Sequence, residues 1–126
     1  VIMKYEVINI RTIENEFGGL SFFEGEHDIP FAIKHLCCIY KTDEERKRTF
    51  YTDAASQLLM FCPYGEVEVI VNDGLQQESI MLDNPAIGLL LQNGMWEKLN
   101  WRKEKSVVCV AVSELLKECN VEGELV

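Results

Sequence analysis

Apolar and polar side chains alternate along most of this chain, and the alternation predicts strands rather than helices. Tyr5 to Ile10 alternates with Tyr5 and Val7 on one face. Glu14 to Gly19, ending in Phe-Gly-Gly, predicts a turn, and Leu20 to Glu24 a short second strand. Gly25 to Pro30 is expected to be a loop, because Pro30 has no N–H to give to a ladder. Phe31 to Tyr40 is a long β-type run in which Lys34 is the one unambiguous charge. It leads into Lys41 to Arg48, where seven of eight residues are charged, the signature of a solvated loop.

The centre of the chain, Arg48 to Gly74, carries the clearest hairpin pattern. A polar segment precedes the apolar run Leu58 to Cys62, a Pro-Tyr-Gly turn follows, and the alternating run Glu66 to Val71 ends in Asn-Asp-Gly. Beyond it, Gln76 to Leu82, Ala86 to Leu91, Met95 to Trp101 and Ser106 to Val112 are strand-like, separated by Asp-Asn-Pro, Gln-Asn-Gly and a charged turn. Only Ser113 to Cys119 has a helical pattern, with Ser113 as N-cap and Glu114 in the first turn. Eight to ten short strands at close spacing predict an all-β barrel or jelly roll with a short C-terminal helix.

Composition narrows the partners. A length of 126 residues, with no repeat or linker, predicts a single domain over 1–126. The net charge of −9, with 21 Asp and Glu against 12 Lys and Arg, argues against nucleic acid, which needs a clustered positive field. No apolar run approaches the roughly 20 residues that span a bilayer. The opening Val-Ile-Met-Lys-Tyr-Glu lacks the apolar core and cleavage site of a signal peptide, so no membrane association and a cytoplasmic location are expected.

Five cysteines, Cys37, Cys38, Cys62, Cys109 and Cys119, are expected to be reduced and to serve as small core residues. Adjacent Cys37 and Cys38 would face opposite sides of a strand, which is wrong for one shared metal. Neither His27 nor His35 has a second ligand at metal-site spacing, so no metal or other cofactor is expected. Phosphate-loop and nucleophile-elbow patterns are also missing from the chain.

What remains is a polar rim: Arg48, Tyr51, Asp53, Tyr64, Glu97 and Lys98. Tyr51 and Asp53 are two apart and so share a strand face, where a phenol and a carboxylate could act as acid and base. An exposed, merely solvated strand start explains the same residues.

The order of several short motifs then becomes informative. Ile-Pro-Phe-X-Ile-Lys at Ile29 to Lys34, Arg-X-Phe at Arg48 to Phe50, Gln-Leu-Leu at Gln57 to Leu59, Asn-Asp-Gly, Asp-X-Pro-Ala-X-Gly-Leu at Asp83 to Leu89, and then Trp96 follow one another. This succession resembles the dTDP-4-keto-6-deoxyhexose 3,4-ketoisomerases, the WxcM-like sugar-nucleotide cupins. The resemblance implies a cupin-type jelly roll, a homodimer with exchanged N-terminal strands, and a metal-free cavity that binds a dTDP-linked keto sugar. It also implies a reaction that moves a carbonyl between C4 and C3 through an enediol, with two motif histidines on one strand moving the protons.

In this chain those two histidine positions hold Tyr51 and Asp53, and the residue after the family's Trp is Glu97. Near the N-terminus, where the family has Arg or Tyr before a Gly, Phe17 precedes Gly18. The resemblance therefore assigns Tyr51, Asp53 and Glu97 to catalysis and Arg48, Gln57, Trp96 and Lys34 to substrate binding. Arg48 matches the motif arginine and is suited to bidentate phosphate contact, or it simply ends the charged loop. Trp96 is either a stacking platform or a core or dimer residue. Two functions follow: an isomerase with a divergent active site, or a non-catalytic relative that binds another small molecule or serves as an accessory subunit.

Overall fold

The computed structural model describes residues 5–52, 55–92 and 94–115. Eleven strands occur among them: β1 (Tyr5–Asn9), β2 (Arg11–Asn15), β3 (Gly18–Phe22), β4 (His35–Ile39), β5 (Arg48–Thr52), β6 (Gln57–Tyr64), β7 (Val67–Asn72), β8 (Gln77–Leu82), β9 (Ile87–Gln92), β10 (Met95–Trp101) and β11 (Val107–Val112). One five-stranded sheet has the order β1-β9-β6-β11-β4, a four-stranded sheet has the order β5-β10-β7-β8, and β2-β3 is a separate hairpin. All these pairings are antiparallel.

The two large sheets share one core. Leu58, Met60, Leu89, Leu91 and Val110 of the five-stranded sheet pack with Val67, Val69, Val71, Leu82, Met95, Leu99 and Trp101 of the four-stranded one. The alternation is visible strand by strand: β7 buries Val67, Val69 and Val71 while Glu68, Ile70 and Asn72 are half-buried. β6, β9 and β11 are instead buried on both faces. Their outer row, with Leu59, Leu90 and Ala111, is covered by Ile29 and Phe31, and Phe23 packs edge-on against Phe61 at 5.3 Å between ring centroids. That is why these three strands are near-continuous apolar runs.

Three expectations change. The segment expected to turn at Glu14 to Gly19 is the tip of the β2–β3 hairpin, and β2 itself begins at Arg11. The run Phe31 to Tyr40 forms a strand only from His35, because Phe31 is spent covering the outer face of the five-stranded sheet. At the C-terminus, Ser113, Glu114 and Leu115 are not helical: the Ser113 N–H donates to the Gln57 carbonyl and its Oγ accepts from the Gln57 N–H at 2.8 Å. The hydroxyl expected to cap a helix ties the chain to the start of β6 instead, and residues 116–119 of the expected helix lie outside those described.

Candidate functional site

Chain connectivity puts one set of strand ends together. Only short segments link Thr52 to Gln57 and Gln92 to Met95, so the end of β5, the starts of β6 and β10 and the end of β9 lie at one end of the sandwich. His35 opens β4 opposite Val112, the last residue of β11, at that same end. Tyr5 of β1 is there too, opposite Leu91.

Register then sorts the polar residues by face. On β10, Met95, Glu97, Leu99 and Trp101 form the buried row and Trp96, Lys98 and Asn100 the other. β5 pairs with it as Trp96↔Tyr51, Glu97↔Phe50 and Leu99↔Arg48. Arg48, Glu97 and Leu99 therefore share the face toward the core, whereas Trp96, 46% exposed, lies on the opposite face. Arg48 and Glu97 occupy diagonal positions of that inner face, about 7–8 Å apart and within the reach of a long side chain.

Of the seven residues singled out from the sequence, Arg48 and Glu97 thus lie on the inner face together. Glu97 is completely buried, a carboxylate set among Val71, Met95 and Leu99. Gln57 belongs to the row of Leu59 and Phe61, which faces away from the core between the sheets. Lys34 precedes β4, half exposed, with its Nζ 3.6 Å from Glu114. Trp96 is in the outer row, Tyr51 lies opposite it in register, and Asp53 lies outside the described residues.

Three residues not assigned from the sequence complete the inner polar set. His35 shares the row of Cys37 and Ile39, which pack against the core, and sits opposite Val112. Its Nδ1–H donates to the Glu114 carbonyl at 2.5 Å, an acceptor-only partner that leaves the lone pair of the neutral ring on Nε2. That Nε2 is buried, with no hydrogen-bond partner among the described residues. At the same end, the Tyr5 hydroxyl bonds the Glu78 carboxylate, which holds the phenol above its usual range, with burial and the carboxylate charge adding to the effect. Tyr5 is on an edge strand of one sheet and Glu78 on an edge strand of the other, so this bond spans the sandwich.

The signal for His35 was present, in an apolar run of alternating side chains. A strand counted from Phe31 has the same parity, yet its length hid that His35 is a terminal residue of β4. Tyr5 and Glu78 are far apart in sequence, and nothing local links them.

Outside this end, an apolar groove of about 390 Å³ lies between the β2–β3 hairpin and the outer face of the five-stranded sheet, lined by Ile10, Phe22, Ile33, Leu36, Phe61 and Pro85 among others. Glu24, His27 and Asp28 cluster within 4.8 Å, but Arg11 already occupies the cluster, bonding Glu24 at 2.8 Å and Asp28 at 2.7 Å.

Comparison with known proteins places this architecture. The family model described as FdtA, WxcM-like, C-terminal matches residues 3–120. A TDP-4-oxo-6-deoxy-alpha-D-glucose-3,4-oxoisomerase of Aneurinibacillus thermoaerophilus is 31% identical over 116 residues, covering 92% of this chain and 84% of that protein. A 3,4-ketoisomerase of Helicobacter canadensis has the same fold with a TM-score of 0.87 at 27% identity, over 97% of this chain and 90% of its own. A variant of the 3,4-ketoisomerase QdtA of Thermoanaerobacterium thermosaccharolyticum, solved in complex with TDP-4-keto-6-deoxyglucose, superposes with a TM-score of 0.88 at 26% identity, over 94% and 86% of the two chains. With a family match that runs from residue 3 to residue 120 and a curated relative aligned over 92% of this chain, the chain belongs to the WxcM-like family.

Proposed function

We propose that this protein is a sugar-nucleotide 3,4-ketoisomerase acting on a dTDP-4-keto-6-deoxyhexose, with a proton-transfer apparatus that differs from the family's histidine pair. The observation that carries the reading is the buried Glu97 on the inner face, diagonal to Arg48, in a chain of this family. The sandwich is the cupin-type jelly roll, its cavity opening at the end that holds His35, Tyr5 and Glu78. The protein works as a soluble cytoplasmic homodimer and takes no nucleic acid.

Moving a carbonyl from C4 to C3 needs a proton taken from C3 and one delivered to C4, with the enediol between. The acid must reach O4 as the base reaches C3. His35, with its Nε2 lone pair directed by the bond to the Glu114 carbonyl, suits the base. Glu97 suits the relay, because a carboxylate enclosed by apolar side chains interacts strongly with nearby charge. Arg48 pairs with the diphosphate, and Tyr51, Asp53, Gln57, Trp96 and Lys34 remain assigned to the site by the resemblance.

A second reading is favoured by one specific observation: positions 51 and 53, which hold the family's histidines, are Tyr and Asp. On that reading the protein keeps the fold and binds a small molecule without turning it over, or serves as an accessory subunit.

Deuterium wash-in separates the two. The isomerase reading expects exchange at C3 of dTDP-4-keto-6-deoxyglucose in D2O with the native chain, and at least a tenfold loss in Glu97→Gln or His35→Asn, in line with the usual worth of a general acid or base. Millimolar dTDP should raise the melting temperature by mass action. A melting shift without exchange leaves the binding protein; neither shift nor exchange removes the sugar nucleotide altogether.

A further inference from the structure

Cys38 and Cys109 stand directly opposite one another on β4 and β11, with their Sγ atoms 3.4 Å apart and no bond between them. Cys38 is exposed, whereas Cys109 is buried. Both belong to the face of the five-stranded sheet turned away from the core, since their neighbours Cys37 and Ile39 on β4, and Val108 and Val110 on β11, face inward. The pair is thus removed from the inner face where Glu97 and His35 lie.

We propose that Cys38 and Cys109 form a thiol pair that a small-molecule disulfide oxidises to a cross-strand disulfide, tying edge strand β4 to β11. Facing residues of adjacent antiparallel strands carry their β-carbons about 4.5–5.5 Å apart, and a disulfide needs about 3.5–4.5 Å, so closure requires only a small local movement. Exposure decides the order of events. The Cys38 thiolate attacks one sulfur of the oxidant, breaking its S–S bond, releasing one thiolate and leaving a mixed disulfide on Cys38. Cys109 then gives its proton to the released thiolate or to water and attacks the Cys38 Sγ, which expels the second thiol.

Two protein thiols lose two electrons and two protons in total, and the oxidant is reduced to two thiols. Burial first, and then the hydrogen bond to Cys38, push the Cys109 thiol up to about 12, so Cys109 resolves the mixed disulfide rather than initiating attack. Cys62, whose thiol burial raises to about 11 and whose Sγ donates to the Tyr64 carbonyl at 3.3 Å, is enclosed in the core. Cys37 faces that core as well. Cys38 is thus the most accessible of the described thiols to an oxidant that arrives from solvent.

The test is incubation of the native full chain with oxidised glutathione, followed by peptide mapping without reductant. The expected product is a Cys38–Cys109 linked peptide pair lighter by two hydrogens, with a melting temperature higher by roughly 5–10 °C, because the link closes a loop of about 70 residues. In Cys109→Ala the Cys38 glutathione adduct should persist unresolved. A native chain that keeps glutathione on Cys38, links a different pair of cysteines, or stays fully reduced overturns the proposal. The mapping is made on the native chain, so it does not depend on how well the variant folds.

Discussion

At Gly65 the backbone takes φ +92°, and a β-carbon placed there would lie 2.2 Å from Ser106 Oγ. Ser106 is completely buried. Its hydroxyl accepts from the Glu66 N–H at 3.0 Å and lies 2.6 Å from the Lys103 carbonyl, to which it donates. One small side chain therefore satisfies the backbone of two turns, and the glycine makes room for it. Gly65→Ala is expected to cost about 3 kcal/mol or more, because positive φ and a backbone-level clash add. Ser106→Ala is expected to cost about 1–3 kcal/mol for the stranded Glu66 N–H. Chemical denaturation of both variants measures this, and an unchanged midpoint in Gly65→Ala would contradict it. Gly88 is a milder case: its φ is ordinary, but a β-carbon there would meet Leu59 Cδ1 at 2.9 Å, where Ile10 also packs.

The β2–β3 hairpin is the least embedded element, exposed over all of β2 and most of β3. Arg11 anchors its base, bonding Glu24 and Asp28 and lying 4.5 Å above the Phe22 ring. The Arg11 bond, with the Glu24 N–H and the nearby positive charge helping, holds the Asp28 carboxyl down at about 2, well below its usual range. A depressed carboxyl adds stability that is present above its unfolded value, near 4, and disappears as pH falls through about 2. The hairpin should therefore lose hydrogen-exchange protection between roughly pH 4 and pH 2. Asp28→Asn should flatten that dependence, and an equally steep loss in the variant would mean that another group controls it.

For the whole molecule, the same hairpin presents Ile13, Phe17 and Leu20 to solvent, with Phe17 90% exposed. Together with the apolar groove beside it, this gathers exposed apolar side chains in one region of the surface. The proposed homodimer gives it a partner. Phe17→Glu should weaken self-association by at least tenfold while leaving the far-ultraviolet spectrum unchanged, since the hairpin tip touches little of the core. Sedimentation equilibrium of both proteins measures this, and a native chain that stays monomeric at high micromolar concentration refutes the dimer.

Local chemistry was enough for the all-β class, for the run Met95–Trp101 as a strand with the bounds it has, and for a family frame spread over six short motifs. Period-2 alternation and turn residues are encoded within a few positions of one another, which is why they survive in the sequence. Tertiary structure decided three other things. Phe31 left its strand to cover the outer row of the five-stranded sheet. Ser113 bonded to Gln57 rather than capping a helix. Arg48 and Glu97 came to share one face of their sheet while Trp96 took the other, and His35, Tyr5 and Glu78 gathered at one end of the sandwich. A single-residue change of register reverses every side chain on a strand, and register comes from pairing between strands distant in the chain, so no local pattern could have sorted these residues by face.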